Sequence, residues 1–268
     1  MDLIKTLLPP GAQVVSLTTN DGVKLAGYYI KANYTEADGS GADGSGASGT
    51  KRLTIIIHGL GRSFLSMADR WNAVYPHLGS VLFLDLRGHG RSSRRALITF
   101  GDNEALDVKA AVDRFRDEYN TIVLWGHSMG AAASLKYTGG GGKPDGLILE
   151  AMYHSFDDAI DTRANIWRAP KTTVVPLVKF LFRHVMRIDF EGLCMPRILE
   201  KINGVPTLLV QSREDEKVPM ASFEKLKAAL GDKGRSVVFD QGDHDSIFRT
   251  NREEYIKLAG EFIGSIGN

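Results

Sequence analysis

Short, continuous runs of apolar residues alternate with longer amphipathic stretches over most of the chain after residue 52. Runs of this kind are typical of strands that are buried on both faces. They lie at Leu53–Ile57, Val81–Leu84, Ile122–Trp125, Leu147–Leu149, Thr207–Val210 and Val237–Phe239. Stretches with helical spacing lie between them, at Phe64–Leu78, Asp102–Tyr119, Met129–Tyr137, Ala221–Leu230 and Glu253–Ile263. This alternation predicts a mainly parallel sheet with helices on both faces.

The start of the chain has a different pattern, in which apolar and polar residues alternate. Two such segments, Gln13–Thr19 and Val23–Ile30, are separated by the turn residues Asn20, Asp21 and Gly22. We predict that they form an antiparallel hairpin, which brings the number of strands to eight.

Residues 36–50 contain no large apolar residue and repeat Ala-Asp-Gly-Ser-Gly, so we predict a flexible Gly/Ser-rich loop there. The spaced aspartates also suggest a calcium-binding loop. Such a loop would need a glutamate at its twelfth position. Counted from Asp38, that position is Gly49, which argues against calcium.

Residues 151–203 lie between the sixth and seventh predicted strands and contain no clear strand of their own. Insertions of this length are usually lids or binding elements, so we predict a helical cap. Within it, the apolar segment Thr172–Ile188 predicts a helix with Pro176 in its first turn, where proline is tolerated. Three cations recur every four residues along that helix: Lys179, Arg183 and Arg187. The cap either simply covers the sheet, which we favour, or makes peripheral contact with a membrane.

Composition narrows the class of protein. The chain has 268 residues, of which 43% are hydrophobic and 24% are charged, which suits a single globular α/β domain over residues 1–268. A net charge of +1 gives no attraction for nucleic acid. Cys194 is the only cysteine, so a disulfide framework is excluded, and we expect no metal and no cofactor. Because neither a signal peptide nor a spanning segment is evident, we expect a cytoplasmic protein.

The strongest chemical motif is the run Gly126-His127-Ser128-Met129-Gly130. It follows a predicted strand and opens a predicted helix, which is the setting of a nucleophile elbow. In that turn the flanking glycines leave room for neighbouring strands, and the serine hydroxyl is exposed at the carboxyl edge of the sheet. We therefore predict that Ser128 is a nucleophile.

A serine hydroxyl needs an adjacent base and an orienting acid, which follow it in the chain order serine, acid, histidine. Asp215 and His244 lie on loops that leave the seventh and eighth predicted strands, at the same edge of the sheet as Ser128. We predict these two residues as the acid and the base. Four further acids lie near the same loops and stay as alternatives for the acid: Glu214, Asp240, Asp243 and Asp245.

An oxyanion hole needs backbone N–H donors that point to the developing negative charge. We assign one donor to Met129, which follows the nucleophile, and the other to Leu60 in the glycine-rich loop after the third predicted strand. Gly61 is the second choice for that loop. We further expect the substrate to contact four residues near these motifs or on the cap: Gly61, His127, Met152 and Phe180.

Together these motifs resemble the α/β-hydrolase superfamily from about residue 13 to the C-terminus. The likeness rests on His58–Gly61, Asp85–Ser92, Gly126–Gly130, Asp215 with Val218 and Pro219, and Gly242–His244. It implies the α/β-hydrolase fold, an eight-stranded mostly parallel sheet flanked by helices with a helical cap inserted after the sixth strand. Within the superfamily the chain is similar to the branch of serine esterases, monoacylglycerol lipases and thioesterases.

The resemblance and the residues imply a serine hydrolase that cleaves carboxylic esters of small to medium acyl chains through an acyl-enzyme intermediate. One alternative is a lysophospholipase, monoacylglycerol lipase or thioesterase that acts at a membrane surface. A peptidase shares the same catalytic residues. A non-catalytic binding module is the distant alternative, and the complete set of nucleophile, acid, base and oxyanion loop argues against it.

Overall fold

An eight-stranded sheet forms the centre of the protein in a computed structural model that describes residues 7–8, 11–32, 51–75 and 79–267. The strands are β1 (Gln13–Thr18), β2 (Lys24–Ile30), β3 (Arg52–Ile57), β4 (Ser80–Asp85), β5 (Thr121–His127), β6 (Gly146–Glu150), β7 (Thr207–Ser212) and β8 (Arg235–Phe239). Across the sheet their order is β1-β2-β4-β3-β5-β6-β7-β8. The β1–β2 and β2–β4 pairs are antiparallel, and the other five pairs are parallel. The predicted fold is therefore confirmed, whereas the predicted loop at 36–50 lies outside the described residues.

Helices connect most of the parallel strands. In the described residues the α-helices are α1 (Glu104–Phe115), α2 (Met129–Gly139), α3 (Phe156–Ile166), α4 (Val174–Phe180), α5 (Met195–Lys201), α6 (Met220–Leu230), α7 (Ile247–Thr250) and α8 (Arg252–Gly264). Four of the five predicted helices match α1, α2, α6 and α8 within a few residues.

The fifth predicted helix, at 64–78, is replaced in its described part by two short 3-10 helices, Phe64–Ser66 and Ala68–Ala73. Two buried contacts fix this segment from outside. The N–H of Phe64 donates to the carboxylate of Asp85 (2.7 Å), and the guanidinium of Arg70 donates to Glu150 (2.7 Å). These tertiary contacts outweigh a helical propensity that is modest for the Phe, Ser, Trp and Asn of this segment.

The core lies on both sides of the sheet because successive strand residues point to opposite faces. On β3, for example, Ile55 and Ile57 pack with α1 and α2, whereas Ile56 packs on the other face with α8. Burial on both faces is the reason that these strands have continuous apolar runs.

The segment between β6 and β7 contains α3, α4 and α5 and lies over the carboxyl edge of the sheet. The predicted helix over Thr172–Ile188 is shorter in the structure: α4 ends at Phe180, and a π-helical turn, Leu181–Val185, follows it. Pro176 is in the first turn of α4. Among the described residues, none of the helices combines the length and the apolar character that crossing a bilayer requires.

Candidate active site

Ser128 lies in the sharp turn between β5 and α2. Its backbone has φ +52° and ψ −114°, a strained conformation for a residue other than glycine. The flanking glycines permit the turn: a Cβ at Gly126 would lie 2.4 Å from the carbonyl oxygen of Gly130. A Cβ at Gly130 would lie 2.5 Å from the carbonyl oxygen of Ile57. The N–H of Ser128 donates to the carbonyl of Glu150 at the end of β6 (2.8 Å), which fixes the turn at the carboxyl edge of the sheet.

His244 connects Ser128 to Asp215 by hydrogen bonds. Its Nε2 lies 3.0 Å from the Oγ of Ser128, and its Nδ1 lies 2.8 Å from the Oδ2 of Asp215. This network assigns Nδ1–H as the donor to the carboxylate, so Nε2 accepts the hydroxyl proton. The other carboxylate oxygen of Asp215 accepts the N–H groups of Lys217 and Val218, both at 2.9 Å. All three side chains are buried, so water competes little for these hydrogen bonds.

Four acids were alternatives to Asp215: Glu214, Asp240, Asp243 and Asp245. Each of them forms its hydrogen bonds with groups other than the His244 ring. Asp245 is adjacent to His244 in the chain, but its Oδ2 is shared by Arg62 (2.7 Å) and Lys217 (2.6 Å). Burial acts to raise the pKa of Asp245, and these two cations together with His244 outweigh it and hold the pKa far below its usual range. Among the described carboxylates, Asp215 is therefore the one that is bonded to His244.

The two predicted oxyanion donors lie on the loops after β3 and β5. Met129 is the first residue of α2, so its N–H has no acceptor within the helix. Leu60 lines the same cavity as Ser128, and its N–H has no hydrogen-bond acceptor among the described residues. The loop passes close to the nucleophile, since a Cβ at Gly59 would lie 3.2 Å from the Cβ of Ser128.

Gly61, the second choice for an oxyanion donor, uses its N–H elsewhere. That N–H donates to Nε2 of His89 (2.9 Å), while Nδ1 of His89 lies 2.7 Å from the carbonyl of Arg87. Gly61 has φ +69° and lines the cavity, so its backbone is within reach of a substrate. Its N–H, however, holds the Leu60 loop in place rather than facing an oxyanion.

His127, a predicted substrate contact, lines the cavity and also positions the base. Its Nε2 lies 2.8 Å from the backbone carbonyl of His244, and the two rings are 4.9 Å apart between centroids. Burial lowers the pKa of His127 to about 4, and the charge of His244 adds to this effect. A neutral ring that donates from Nε2 fixes the loop that carries His244.

A cavity of about 480 Å³ lies beside Ser128, between the sheet edge and the cap. Three aromatic rings cluster in its wall: Phe100, Phe156 and Phe182, with centroids 4.5 to 5.5 Å apart. Val175 and Val178 of α4 extend this apolar surface. Such a lining with a few convergent polar groups is typical of a site for a small organic ligand.

Two predicted substrate contacts, Met152 and Phe180, do not line this cavity. Met152 is 3% exposed and packs in the core instead. Phe180 is 56% exposed because it lies on the side of α4 opposite Val175 and Val178, and its ring centroid is 4.7 Å from that of His184. Apolar residues are so frequent in this segment that they did not indicate which of them would face the cavity.

Several lining residues were not predicted from the sequence, among them Phe100 and Arg163. Phe100 lies in the loop before α1 with φ +60°, and nothing in its local sequence marks it. Arg163 could have been found, because it continues the helical spacing of Phe156 and Ile160, which line the same wall.

One group of side chains has the spacing of metal ligands. His127, His244 and Asp245 each place a ligand atom within 4.8 Å of the others. Both ring nitrogens of His244 are hydrogen-bonded to Ser128 and Asp215, and the carboxylate of Asp245 is held by two cations. The donor set therefore does not fit a metal without breaking these contacts.

Known proteins resemble this chain in sequence and in fold. The Alpha/beta hydrolase family matches residues 55–258. An uncharacterized protein of Bacillus subtilis, YqkD, is 25% identical over 226 residues, which cover 82% of this chain and 73% of YqkD. The esterase Pf2001 of Pyrococcus furiosus superposes with a TM-score of 0.71 at 21% identity and covers 99% of this chain and 96% of its own. The esterase EaEST of Exiguobacterium antarcticum has a TM-score of 0.66 at 18% identity, over 94% of this chain and all of its own.

Proposed function

Because the chain belongs to the Alpha/beta hydrolase family, we propose that it is a serine hydrolase that cleaves carboxylic esters. The observation that carries this proposal is the hydrogen-bonded series of Ser128, His244 and Asp215 at the wall of an apolar cavity. The fold shared with two esterases supports it at the level of architecture.

In the proposed reaction, Oγ of Ser128 attacks the ester carbonyl while Nε2 of His244 takes the hydroxyl proton. Asp215 holds the imidazole in the required tautomer and stabilises the imidazolium that forms. The N–H groups of Met129 and Leu60 donate to the oxyanion of the tetrahedral intermediate. His244 then gives the proton to the leaving alkoxide, and an acyl group stays on Ser128.

In the second half of the reaction, His244 takes a proton from water, and the resulting hydroxide attacks the acyl-enzyme. The tetrahedral intermediate collapses, the proton returns to Oγ of Ser128, and the free acid leaves. These steps need only the side chains and backbone groups named above.

The size and lining of the cavity support small to medium apolar acyl chains. A volume of about 480 Å³ is within the range of sites for small organic ligands. The aromatic cluster of Phe100, Phe156 and Phe182 would receive the acyl chain by apolar contact.

The proposal is tested with p-nitrophenyl esters of graded acyl length, assayed on the wild type and on Ser128→Ala. We expect turnover with a burst of p-nitrophenol, because acylation by an activated ester should be faster than hydrolysis of the acyl-enzyme, and no turnover in Ser128→Ala. Hydrolysis of thioesters or peptides without hydrolysis of any ester would overturn the ester assignment and retain the serine mechanism.

A second candidate is a hydrolase of membrane lipids, such as a lysophospholipase or monoacylglycerol lipase, and one observation favours it. The cap exposes a group of large apolar side chains, here called the cap patch: Trp167, Leu177, Phe180, Leu181 and Val185. Trp167 also lines the cavity, so the patch is continuous with it. Exposed apolar clusters of this kind are unusual on a protein surface that faces only water.

A further inference from the structure

One charged side chain in the cavity has no hydrogen-bond or ion-pair partner among the residues that the structure describes. Arg163 lies on α3. This helix contributes five residues to the cavity wall: Phe156, Ala159, Ile160, Arg163 and Ala164. These positions form one helical stripe. An arginine therefore occupies the side of α3 that faces the cavity, where the neighbouring positions are apolar.

The acids of α3 do not neutralise Arg163. Asp157 and Asp161 both pair with Lys179 of α4, at 3.1 and 2.8 Å, and Asp158 contacts His154 at 3.3 Å. Among the described residues, no hydrogen bond and no ion pair reaches the guanidinium of Arg163. The helix thus carries three carboxylates on its other sides and leaves its half-buried cation unpaired.

The cavity as a whole has an excess of positive charge. Its lining contains the cations Arg62, Arg163 and Lys217 and one carboxylate, Asp245, which Arg62 and Lys217 share. The whole chain has a net charge of only +1, so this excess is a local property of the cavity. Partial burial of a cation without a paired anion costs desolvation free energy in the ligand-free protein. An anionic ligand that pairs with the cation would offset this cost.

The position of Arg163 points to one part of the substrate. Arg163 is seven residues beyond Phe156, or about 10 Å along the helix, away from the aromatic cluster. Arg163 lines the same cavity as His244 and Asp245, so its guanidinium and the His244 ring face the same space. The leaving alcohol departs next to that histidine, because His244 gives it its proton.

We propose that Arg163 binds an anionic group, a carboxylate or a phosphate, on the alcohol part of the ester, while the acyl chain occupies the aromatic end of the cavity. The proposal rests on the ester hydrolase function and names its substrate class. Arginine suits this role because its planar guanidinium donates two parallel hydrogen bonds to either anion.

The test compares three butyrate esters that differ in the charge of the alcohol part: 4-butyryloxybenzoate, 4-butyryloxyphenyl phosphate and the neutral methyl 4-butyryloxybenzoate. We expect the wild type to favour at least one anionic ester over the neutral ester by about tenfold or more in kcat/KM, mainly through KM. Arg163→Gln should lose this preference and still hydrolyse the neutral ester, and Arg163→Lys should keep part of it. Whichever anion is favoured identifies the class.

A matched control is Arg168→Gln, which removes an exposed arginine of the same segment that does not line the cavity. This variant should keep the wild-type preference. The proposal is overturned if the wild type does not distinguish the esters, or if Arg163→Gln slows charged and neutral esters equally, which would indicate a structural role.

A binding measurement separates this proposal from the hydrolase function. In Ser128→Ala, calorimetric titration with the unhydrolysed anionic esters should give tighter binding than with the neutral ester, and adding Arg163→Gln should abolish the difference. If no ester is hydrolysed but the Arg163-dependent binding is found, the proposed reaction fails and the anion site stands. Equal binding of charged and neutral esters would refute the anion site even in an active hydrolase.

Discussion

At the scale of single residues, the site depends on the bond between Asp215 and His244. The buried carboxylate of Asp215 accepts the ring N–H of His244 on one oxygen and two backbone N–H groups on the other. Hydrogen bonds to both oxygens fix the orientation of the carboxylate. An amide at this position has the same shape, but its NH₂ group cannot accept the Nδ1 proton. The imidazole would then adopt the other tautomer, with Nε2 unable to accept a proton from Ser128.

We therefore expect Asp215→Asn to lower kcat for ester hydrolysis by about 10⁴-fold, with little change in KM. The measurement is steady-state hydrolysis of a p-nitrophenyl ester, with thermal unfolding to verify the fold. The control is Asp240→Asn, since Asp240 is an exposed acid near the same loops and pairs with Arg213. Equal losses in the two variants would contradict the assignment of Asp215.

Residue patterns were sufficient to predict Ser128, Asp215 and His244 because each follows a recognisable strand. The carboxyl ends of parallel strands meet at one edge, so the order of strands along the chain already brings these loops together. Arg163 follows no strand, and although its spacing from Phe156 and Ile160 places it on one side of α3, a lone arginine on an amphipathic helix usually faces water. Only the position of α3 over the cavity reveals its surroundings.

At the scale of elements, a buried ionic network joins the sheet beneath Ser128 to the helices on one face. Glu150, at the end of β6, accepts from Arg70 (2.7 Å), from the Tyr255 hydroxyl of α8 (2.8 Å) and from the Trp125 indole of β5 (3.2 Å). Burial acts to raise the pKa of Glu150, but the charge of Arg70 and the hydrogen bonds from Arg70 and Tyr255 outweigh it, and the pKa is lower than usual. Because the carbonyl of Glu150 accepts the N–H of Ser128, the network also supports the nucleophile turn.

We expect Arg70→Met to reduce the free energy of unfolding by about 3–5 kcal/mol, because it leaves the Glu150 carboxylate buried without its cation. The double variant Arg70→Met/Glu150→Leu should recover much of that loss. Urea unfolding measures both. As a control, Arg213→Met breaks an exposed ion pair with Asp240 and should cost less than about 1 kcal/mol. A loss below about 1 kcal/mol in Arg70→Met would contradict the role of the network.

The cap shows where element-level prediction stopped. The apolar residues of Thr172–Ile188 predicted a helix, but they surround it, so periodicity could not identify the buried side. In the structure Val175 and Val178 face the cavity, whereas Leu177 and Phe180 face outward. The packing of α4 against α3 and the ion pairs of Lys179 with α3 determine which side of α4 is buried. These are contacts between elements, which the local sequence does not show.

At the scale of the whole molecule, the cap patch places exposed apolar side chains next to the cavity, whose lining includes Trp167. Trp167 is 73% and Val185 is 66% exposed, and exposed cations lie close to them in the sequence, among them Lys171 and Arg187. Apolar side chains bordered by cations suit the interface of an anionic membrane. Binding there would bring the cavity close to lipid substrates.

If the cap patch binds membranes, the protein should cosediment with vesicles of phosphatidylcholine and phosphatidylglycerol. The triple variant Leu177→Gln/Phe180→Gln/Val185→Gln should bind at least about tenfold more weakly, because each side chain contributes roughly 1 kcal/mol or more when it enters the apolar phase. Val14→Gln, at a comparably exposed apolar residue of β1, is the control and should bind normally. Undiminished binding of the triple variant, or no binding of the wild type, would refute the membrane hypothesis.

The central claim is that Ser128 is an activated nucleophile, and covalent labelling with a fluorophosphonate tests it most directly. Intact mass should show a single adduct on the wild type, and peptide mapping should locate it on Ser128. Ser128→Ala should stay unlabelled, whereas Ser155→Ala, which removes the side-chain cap of α3, should be labelled normally. An adduct on another residue, or no adduct on folded wild-type protein, would contradict the account.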